Sequence, residues 1–471
     1  MSTVIGVDSS TQSCKVLVVD VESGDIFSEA TAAHPEGTEI DPEVWWVALQ
    51  EALGQVDYSE VEAISIAAQQ HGLVALDASG QVIRPALLWN DTRSGAQADQ
   101  IIAEFGAGNL AERTGSVPVA SFTATKLAWM RHNEPELASQ IAAVALPHDW
   151  LTWRLRGFGP MGQSRFGPAL EELVTDRSDA SGTGYFSPVT NEYDDDILDF
   201  VLGHHVVLPR VLGASEKAGA SEHGWIMGPG GGDNAMAALG LDTQVGDVVM
   251  SLGTSGTVFG VTSTPAKDGT GTVAGFADAA GVYLPLVATL NAARTIDSSR
   301  QLLGMSWDDV SGAVRSALPG SGGLTFLPFF DGERMPNLPQ ANGSLVGITR
   351  SNFTPENVAR AAIEAVVSNL SRGLEAIVEE TESLTRLMLI GGGAQNLGVQ
   401  QVVSEIVARP VLVPDPGEYV AYGAAKQAAW VLTGQRPSWS PDFLTRGSEE
   451  TPPVARTQFD GALRGYLRAI G

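Results

Sequence analysis

The stretch VIGVDSSTQSCKVLVVD, residues 4–20, sets the strongest limit on what this chain can fold into. Aliphatic and β-branched runs on either side of a short polar segment predict two strands, 4–7 and 15–20. Asp8, Ser9, Ser10, Thr11, Gln12 and Ser13 form the connection. The pattern returns at VVMSLGTSGTVFGV, residues 248–261, with Gly253, Thr254, Ser255 and Gly256 between the strand runs. Recurrence at this scale predicts two related halves, each opening on a strand, a turn of small residues and a second strand. Such turns let backbone N–H groups converge on phosphate oxygens. A chain of 471 residues is also too long for one core. The boundary is placed near 241–246, giving domains 1–243 and 244–471.

Between and after these hairpins, strand and helix patterns alternate, so the expected class is α/β. Residues 61–67 and 72–77 read as strands, and 96–105 and 125–131 as helices. A long helical period covers 355–381, followed by a strand at 387–390 and a helix at 399–407. Residues 158–173 are rich in Gly and Pro without a clean period and read as a surface insertion. A final amphipathic helix is expected over about 457–470, packed on the body.

Charge removes several function classes. The formal net charge is −27, from 28 basic and 55 acidic residues, and a field of that sign repels nucleic-acid backbones. Any anionic ligand must be neutralised locally, by a metal or by backbone N–H groups. The single cysteine, Cys14, excludes an internal disulfide, suits a reducing compartment and lies in an apolar run that predicts burial. The opening residues lack a basic and apolar leader, and no apolar run reaches membrane-spanning length, so a soluble cytoplasmic protein is expected. There is no GxxxxGK[ST] motif. One GxGxxA match, at 269–274, lacks a preceding strand. His71, His148 and the pair His204–His205 have no partners at metal-ligand spacing.

The remaining chemistry lies in small-residue turns and one acidic loop. Asp8, at the end of the first strand, can hold Mg²⁺ directly or through its waters. Thr11, Gln12 and Ser13 supply hydroxyl and amide donors. Gly253, Thr254 and Ser255 form a second clamp, and Gly391, Gly392, Gly393 and Ala394 follow the strand LMLI, where a nucleoside can lie against backbone. The loop GPGGGDNAMAALG, residues 228–240, carries Asp233 and Asn234. Asp233 has two readings: the N-cap of the helix starting near Ala235, with a depressed pKa, or a catalytic carboxylate that glycines allow to approach a substrate.

Taken together, VIGVDSSTQSCKVLVVD, GGGDNAMAALG, MSLGTSGTVFG and LIGGGAQNLGVQQVVSEIVARPVLVPDPGEYVAYGAA resemble the FGGY carbohydrate kinases, from Val4 to about Trp430. The resemblance implies two RNase-H-like domains of the actin-like ATPase type with an interdomain cleft. It implies transfer of the γ-phosphoryl of ATP to a sugar hydroxyl, with Mg²⁺ as cofactor. Asp233 matches the catalytic aspartate, joined by Asp8. Thr11, Gln12, Ser13, Gly253, Thr254, Ser255, Gly392, Gly393, Ala394 and Asn396 are the expected nucleotide contacts. The segment AISIAAQQHGLVALD carries Gln69-Gln70-His71-Gly72, the pattern of members that act on xylulose, so D-xylulose is the expected acceptor and D-xylulose 5-phosphate the product. Gln70, His71, Asn234 and, with a core role equally open, Trp89 are the expected sugar contacts. Another sugar or polyol, such as ribulose, gluconate or glycerol, is the alternative. The resemblance further implies a homodimer. Asp331-Gly332-Glu333-Arg334-Met335-Pro336 is expected to be structural. Two departures stand out, Ala68 where many members have Gly, and the lengthened segment 158–173.

Overall fold

The computed structural model describes residues 2–381, 383–447 and 454–470. The chain forms two compact units. One contains Met1–Thr243, Ser263–Leu284 and Glu418–Ser440, and the other Gln244–Thr262, Pro285–Gly417 and Pro441–Gly471.

In the first unit Thr3–Ser9, Ser13–Asp20 and Ile26–Ala33 form an antiparallel meander, and Thr3–Ser9 pairs on its other side, in parallel, with Val61–Ala68. Ile226–Met227 and then Gly231–Gly232 run parallel along the far side of Val61–Ala68. Every residue of Thr3–Ser9 is buried, which explains why this strand reads as a near-continuous apolar run. One face of the sheet is covered by Pro42–Leu53, capped by Asp41, whose Trp45 and Leu49 join Val16 and Ile64 in the core. The other face is covered by Tyr419–Thr433, where Ala421 and Ala425 meet Val4, Leu17 and Ala63. A side chain at Gly6 could not be accommodated beneath that helix: its Cβ would lie 1.9 Å from the Ala421 carbonyl oxygen.

The second unit repeats this topology. Tyr283–Thr289, Gly256–Gly260 and Asp247–Leu252 are antiparallel neighbours, and Asp247–Leu252 then pairs in parallel with Arg386–Ile390, which neighbours Val411–Pro414, again in parallel. Strand order and sense match the first unit, so the two sequence hairpins open two equivalent sheets. The helix Pro355–Glu380, capped by Thr354, is buried along most of its length. The last helix begins earlier than its sequence pattern indicates, spanning Val454–Ile470, and packs Phe459 and Leu463 against Leu327, Phe329 and Ala365. Among the described residues no helix is long and apolar enough to cross a membrane.

Several local expectations shift. Ser9 and Ser13 continue the first hairpin's strands, shortening its turn. The strand expected at 72–77 is only Val74–Leu76, and the helix expected at 125–131 extends over Thr123–Asn133. The segment 158–173 is irregular but anchored at both ends: Phe158 stacks on Trp153, and Leu173 is in the core. Cys14 is fully buried, and burial pushes its thiol pKa up.

Candidate active site

The site of the first unit starts from strand register. Asp8 pairs with Ala67 on one side of the strand Val61–Ala68, and Gly231 pairs with the same Ala67 on the other. Asp233 begins the helix Asp233–Gly240 two residues later. Two carboxylates therefore emerge from the carboxyl ends of parallel strands, the edge where α/β sheets bind ligands. The helix behind Asp233 is held by close backbone packing. Added Cβ atoms at Gly240 and Gly423 would lie 2.2 Å from the Tyr419 oxygen and 1.9 Å from the Met236 oxygen.

The sequence left open whether Asp233 caps this helix, and the structure rules that out. Gly232 is the N-cap, with extended backbone and no side chain to contribute. Asp233 occupies the first helical position, and its Oδ1 accepts from both the backbone N–H and the side-chain amide of Asn234, at 2.8 Å each. The expected depression of its pKa does not occur either. Burial pushes it up to about 6, against the lowering effect of the Asn234 hydrogen bonds. Asp8 rises to about 7 through burial, with Asp233 and Glu418 adding to the rise and Lys15 opposing it. Lys15, opposite Asp8 in the hairpin, pairs with Glu418 at 2.5 Å. The buried Asp8 Oδ1 has no hydrogen-bond partner among the described residues.

Gln70 and His71 lie in the turn after Val61–Ala68, so His71 is not at a strand start. Gln70 donates through Nε2 to the Ser178 carbonyl at 3.2 Å and packs against Gly232. His71 has φ of 69°, a left-handed conformation uncommon outside glycine. Its carbonyl accepts from the fully buried Lys126 at 2.6 Å and from Thr123 at 3.2 Å, and its Nδ1 lies 2.6 Å from the Gly182 carbonyl. Phe122 and Phe276 flank the ring. Trp89 donates through Nε1 to Thr11 Oγ1 at 2.8 Å, and Thr11 reaches Gln69 Oε1. Gln12 is exposed and Ser13 half-buried beside them.

In the second unit Leu252 and Gly256 face each other across the turn Gly253, Thr254, Ser255. Ser251 pairs with Ile390, so the Gly391–Ala394 turn leaves the sheet beside it. Gly391 has φ of 95° and lies directly on Leu252, leaving Gly392 exposed and Gly393 and Ala394 buried. Asn396 is occupied locally: its Oδ1 caps Leu397–Val407, and its Nδ2 donates to the Trp307 carbonyl. Glu333 is a buried hub, accepting from Leu290 N, Asn291 Nδ2, Arg334 N and Asn369 Nδ2, as its expected structural role requires.

The chain that builds these two sheets, the first edged by Asp8 and Asp233 and the second by small-residue turns, matches known proteins along most of its length. The FGGY family of carbohydrate kinases, N-terminal domain, matches residues 3–245, and its C-terminal domain matches residues 248–432. The chain belongs to the FGGY family of carbohydrate kinases. Similar relatives include the xylulose kinase of Streptomyces rubiginosus, 46% identical and covering 92% of this chain and 89% of that protein. The xylulose kinase of Streptomyces coelicolor is also 46% identical, covering 92% and 88%. Among solved structures, the xylulose kinase from Bifidobacterium adolescentis has a TM-score of 0.88 at 41% identity, covering 98% of this chain and 99% of that one. As a carbohydrate kinase of this family, the chain is an enzyme that uses ATP.

One buried cluster of this FGGY kinase escaped sequence reading. His148, Asp149 and Asp179 are fully buried within reach of one another, although Asp179 is distant in sequence. Sequence spacing showed no metal-ligand partners for His148; its neighbours here are the adjacent Asp149 and the distant Asp179. His148 Nδ1 lies 2.7 Å from Asp179 Oδ2, and Nε2 lies 3.2 Å from Asp149 Oδ1. Burial opposes charge on the ring, yet these two carboxylates hold the imidazolium pKa up at about 9. Burial also pushes Asp149 up to about 7 and Asp179 up to about 6, against the lowering effect of His148. Lys126, Gly182, Ser178 and Asp176 were missed for the same reason: their sequence surroundings signal helix and turn, and only the tertiary fold brings them to the site.

Proposed function

We propose that this chain transfers the γ-phosphoryl of ATP to D-xylulose, giving D-xylulose 5-phosphate, with Asp233 as general base. The observation that carries the reading is Asp233 leaving a glycine strand beside the Gln70–His71 turn, and the xylulose kinases at 46% identity support the acceptor. The ionised Asp233 takes the proton of the attacking hydroxyl, and a pKa of about 6 makes it a stronger base than an ordinary aspartate while leaving it charged at neutral pH. Asn234 holds that carboxylate and orients a neighbouring hydroxyl. Gln70 and His71 bind the sugar, with Trp89 bracing the adjoining turn through Thr11.

The unpartnered, buried Asp8 oxygen fits a cation, and Asp8 would hold Mg²⁺ directly or through water. That ion would neutralise charge on the transferred phosphoryl group. Thr11, Gln12, Ser13, Gly253, Thr254, Ser255, Gly392, Gly393 and Ala394 offer backbone and hydroxyl donors to the nucleotide. Asn396 acts by setting the last of these turns. The family resemblance further supports a homodimer working in the cytoplasm. The test is ADP release across ketopentoses, hexuloses, glycerol and gluconate: D-xylulose should be preferred, and a clear preference for another acceptor sinks the substrate assignment.

A further inference from the structure

The loop that delivers Asp233 is gripped at two points by side chains with no part in the chemistry described above. At Gly230 the ring of His148 lies so close that an added Cβ would be 2.4 Å from its Cδ2. On the other side of Gly230, Gln427 accepts from its N–H at 2.9 Å and donates to its carbonyl at 3.0 Å. At Gly232 the N–H donates to Ser178 Oγ at 3.1 Å, while the Ser178 carbonyl accepts from Gln70. Ser178 adjoins Asp179, and both backbone N–H groups are held by Asp176, at 2.9 and 3.0 Å. The ring of His148 is held by the Nδ1 hydrogen bond to Asp179 and lies beside Asp149, whose Oδ2 accepts from Leu146 N at 2.8 Å.

We propose that His148, held by Asp179, is a positioning residue that sets where the segment from Gly230 to Gly232 presents Asp233. The chain of contact runs from His148 to Gly230 directly, and from His148 through Asp179 and Ser178 to Gly232. The cluster is wholly buried and reaches the reaction through the loop, through the Ser178–Gln70 hydrogen bond and through the charge repulsion between Asp179 and Asp233. This inference rests on the reading of Asp233 as the base.

The test compares steady-state kinetics of the full-length enzyme with His148→Gln, alone and in the Asp233→Ala background. A small displacement of a reacting group costs up to about 100-fold in rate. The His148→Gln protein should lose about 10- to 100-fold in kcat, with KM for xylulose and ATP moving less than about threefold. In Asp233→Ala the same change should cost nothing further, because the group being positioned is gone. Parental kcat in His148→Gln, or an equal loss in both backgrounds, overturns the inference. Should His148→Gln fail to fold, Ser178→Ala, which removes only the acceptor for the Gly232 N–H, carries the same kinetic expectation and the same refutation. Asp233→Ala alone has a separate readout: parental turnover there defeats the base assignment. An inactive Asp233→Ala beside a fully active His148→Gln defeats only the positioning role.

Discussion

Asp8 and Gly231 share one register partner, Ala67, from opposite sides of the same parallel strand. That relationship puts a buried carboxylate with an unpartnered oxygen and the carboxylate of Asp233 at one edge of the sheet, close enough that Asp233 raises the pKa of Asp8. Loss of either group therefore has a separable consequence, one in proton transfer and one in charge burial.

Asp233→Ala should lower kcat by about 10²–10⁴-fold, the range for losing a general base. Folding should survive, because Asp233 is not the cap of its helix. The measurement is turnover beside a thermal melt, and near-parental phosphorylation would end the base assignment.

The pH profile tests the same group differently. With its pKa raised to about 6 in the free protein, Asp233 is protonated and inactive below that pH, so kcat/KM should fall about tenfold per unit on the acid side. Asn234→Ala removes a hydrogen bond that stabilises the ionised form, and should move this acid limb to higher pH. An acid limb near pH 4 in the parent protein would contradict the burial of this carboxylate.

Much of this site was legible in sequence because it is made of local motifs. DSSTQS and GPGGGDN announce turns and acids by composition alone, and the repeat of the strand–turn–strand pattern announces two similar sheets. Whether Asp233 caps its helix stayed open in the sequence because an N-cap is a backbone conformation, and Gly232 adopts it with φ of −70° and ψ of 148°. The left-handed backbone of His71 has no sequence signature, since a buried lysine and a threonine hold it from a later helix. Tyr419–Thr433 is plainly a small-residue helix, but its pattern does not say which sheet it covers. It packs on the first sheet because Gly6 leaves room for close backbone approach, and Gly240 and Gly423 let it lie against the helix Asp233–Gly240.

Asp8→Asn should stabilise the metal-free protein at alkaline pH. The folded carboxylate keeps its proton up to about pH 7, whereas an ordinary aspartate releases it near 3.8. The folded state thus binds more protons in that window, and stability falls as pH rises through it. Asparagine removes this penalty. The melting midpoint should rise by about 2–4 °C at pH 8 and by less at pH 5, where much of the penalty has not yet developed. An equal effect at both values would contradict the raised pKa.

At His71 the backbone and the ring can be tested apart. Asparagine tolerates positive φ, so His71→Asn should keep the melting midpoint within a few degrees while raising KM for the sugar about tenfold. Valine does not tolerate it, and His71→Val should lose roughly 1–2 kcal/mol more. Equal stabilities for the two variants in denaturant titrations would show that the backbone relaxes on substitution.

Gly391 and Gly392 differ in what a methyl group would meet, and this separates fold from ligand contact in the second unit. At Gly391, with φ of 95°, an added Cβ would lie 2.6 Å from the Leu252 carbonyl oxygen. Gly391→Ala should therefore cost about 1–3 kcal/mol in stability and distort the turn, raising KM for ATP. At Gly392 nothing lies within 4 Å of the added carbon. Gly392→Ala should melt like the parent yet still raise KM for ATP, because the obstruction is felt only by a nucleotide lying against that backbone. Neither change should alter sugar affinity measured by calorimetry without nucleotide. Parental ATP kinetics in Gly392→Ala would remove this turn from the nucleotide site, since the exposed Gly392 backbone is the surface a nucleotide there would have to approach.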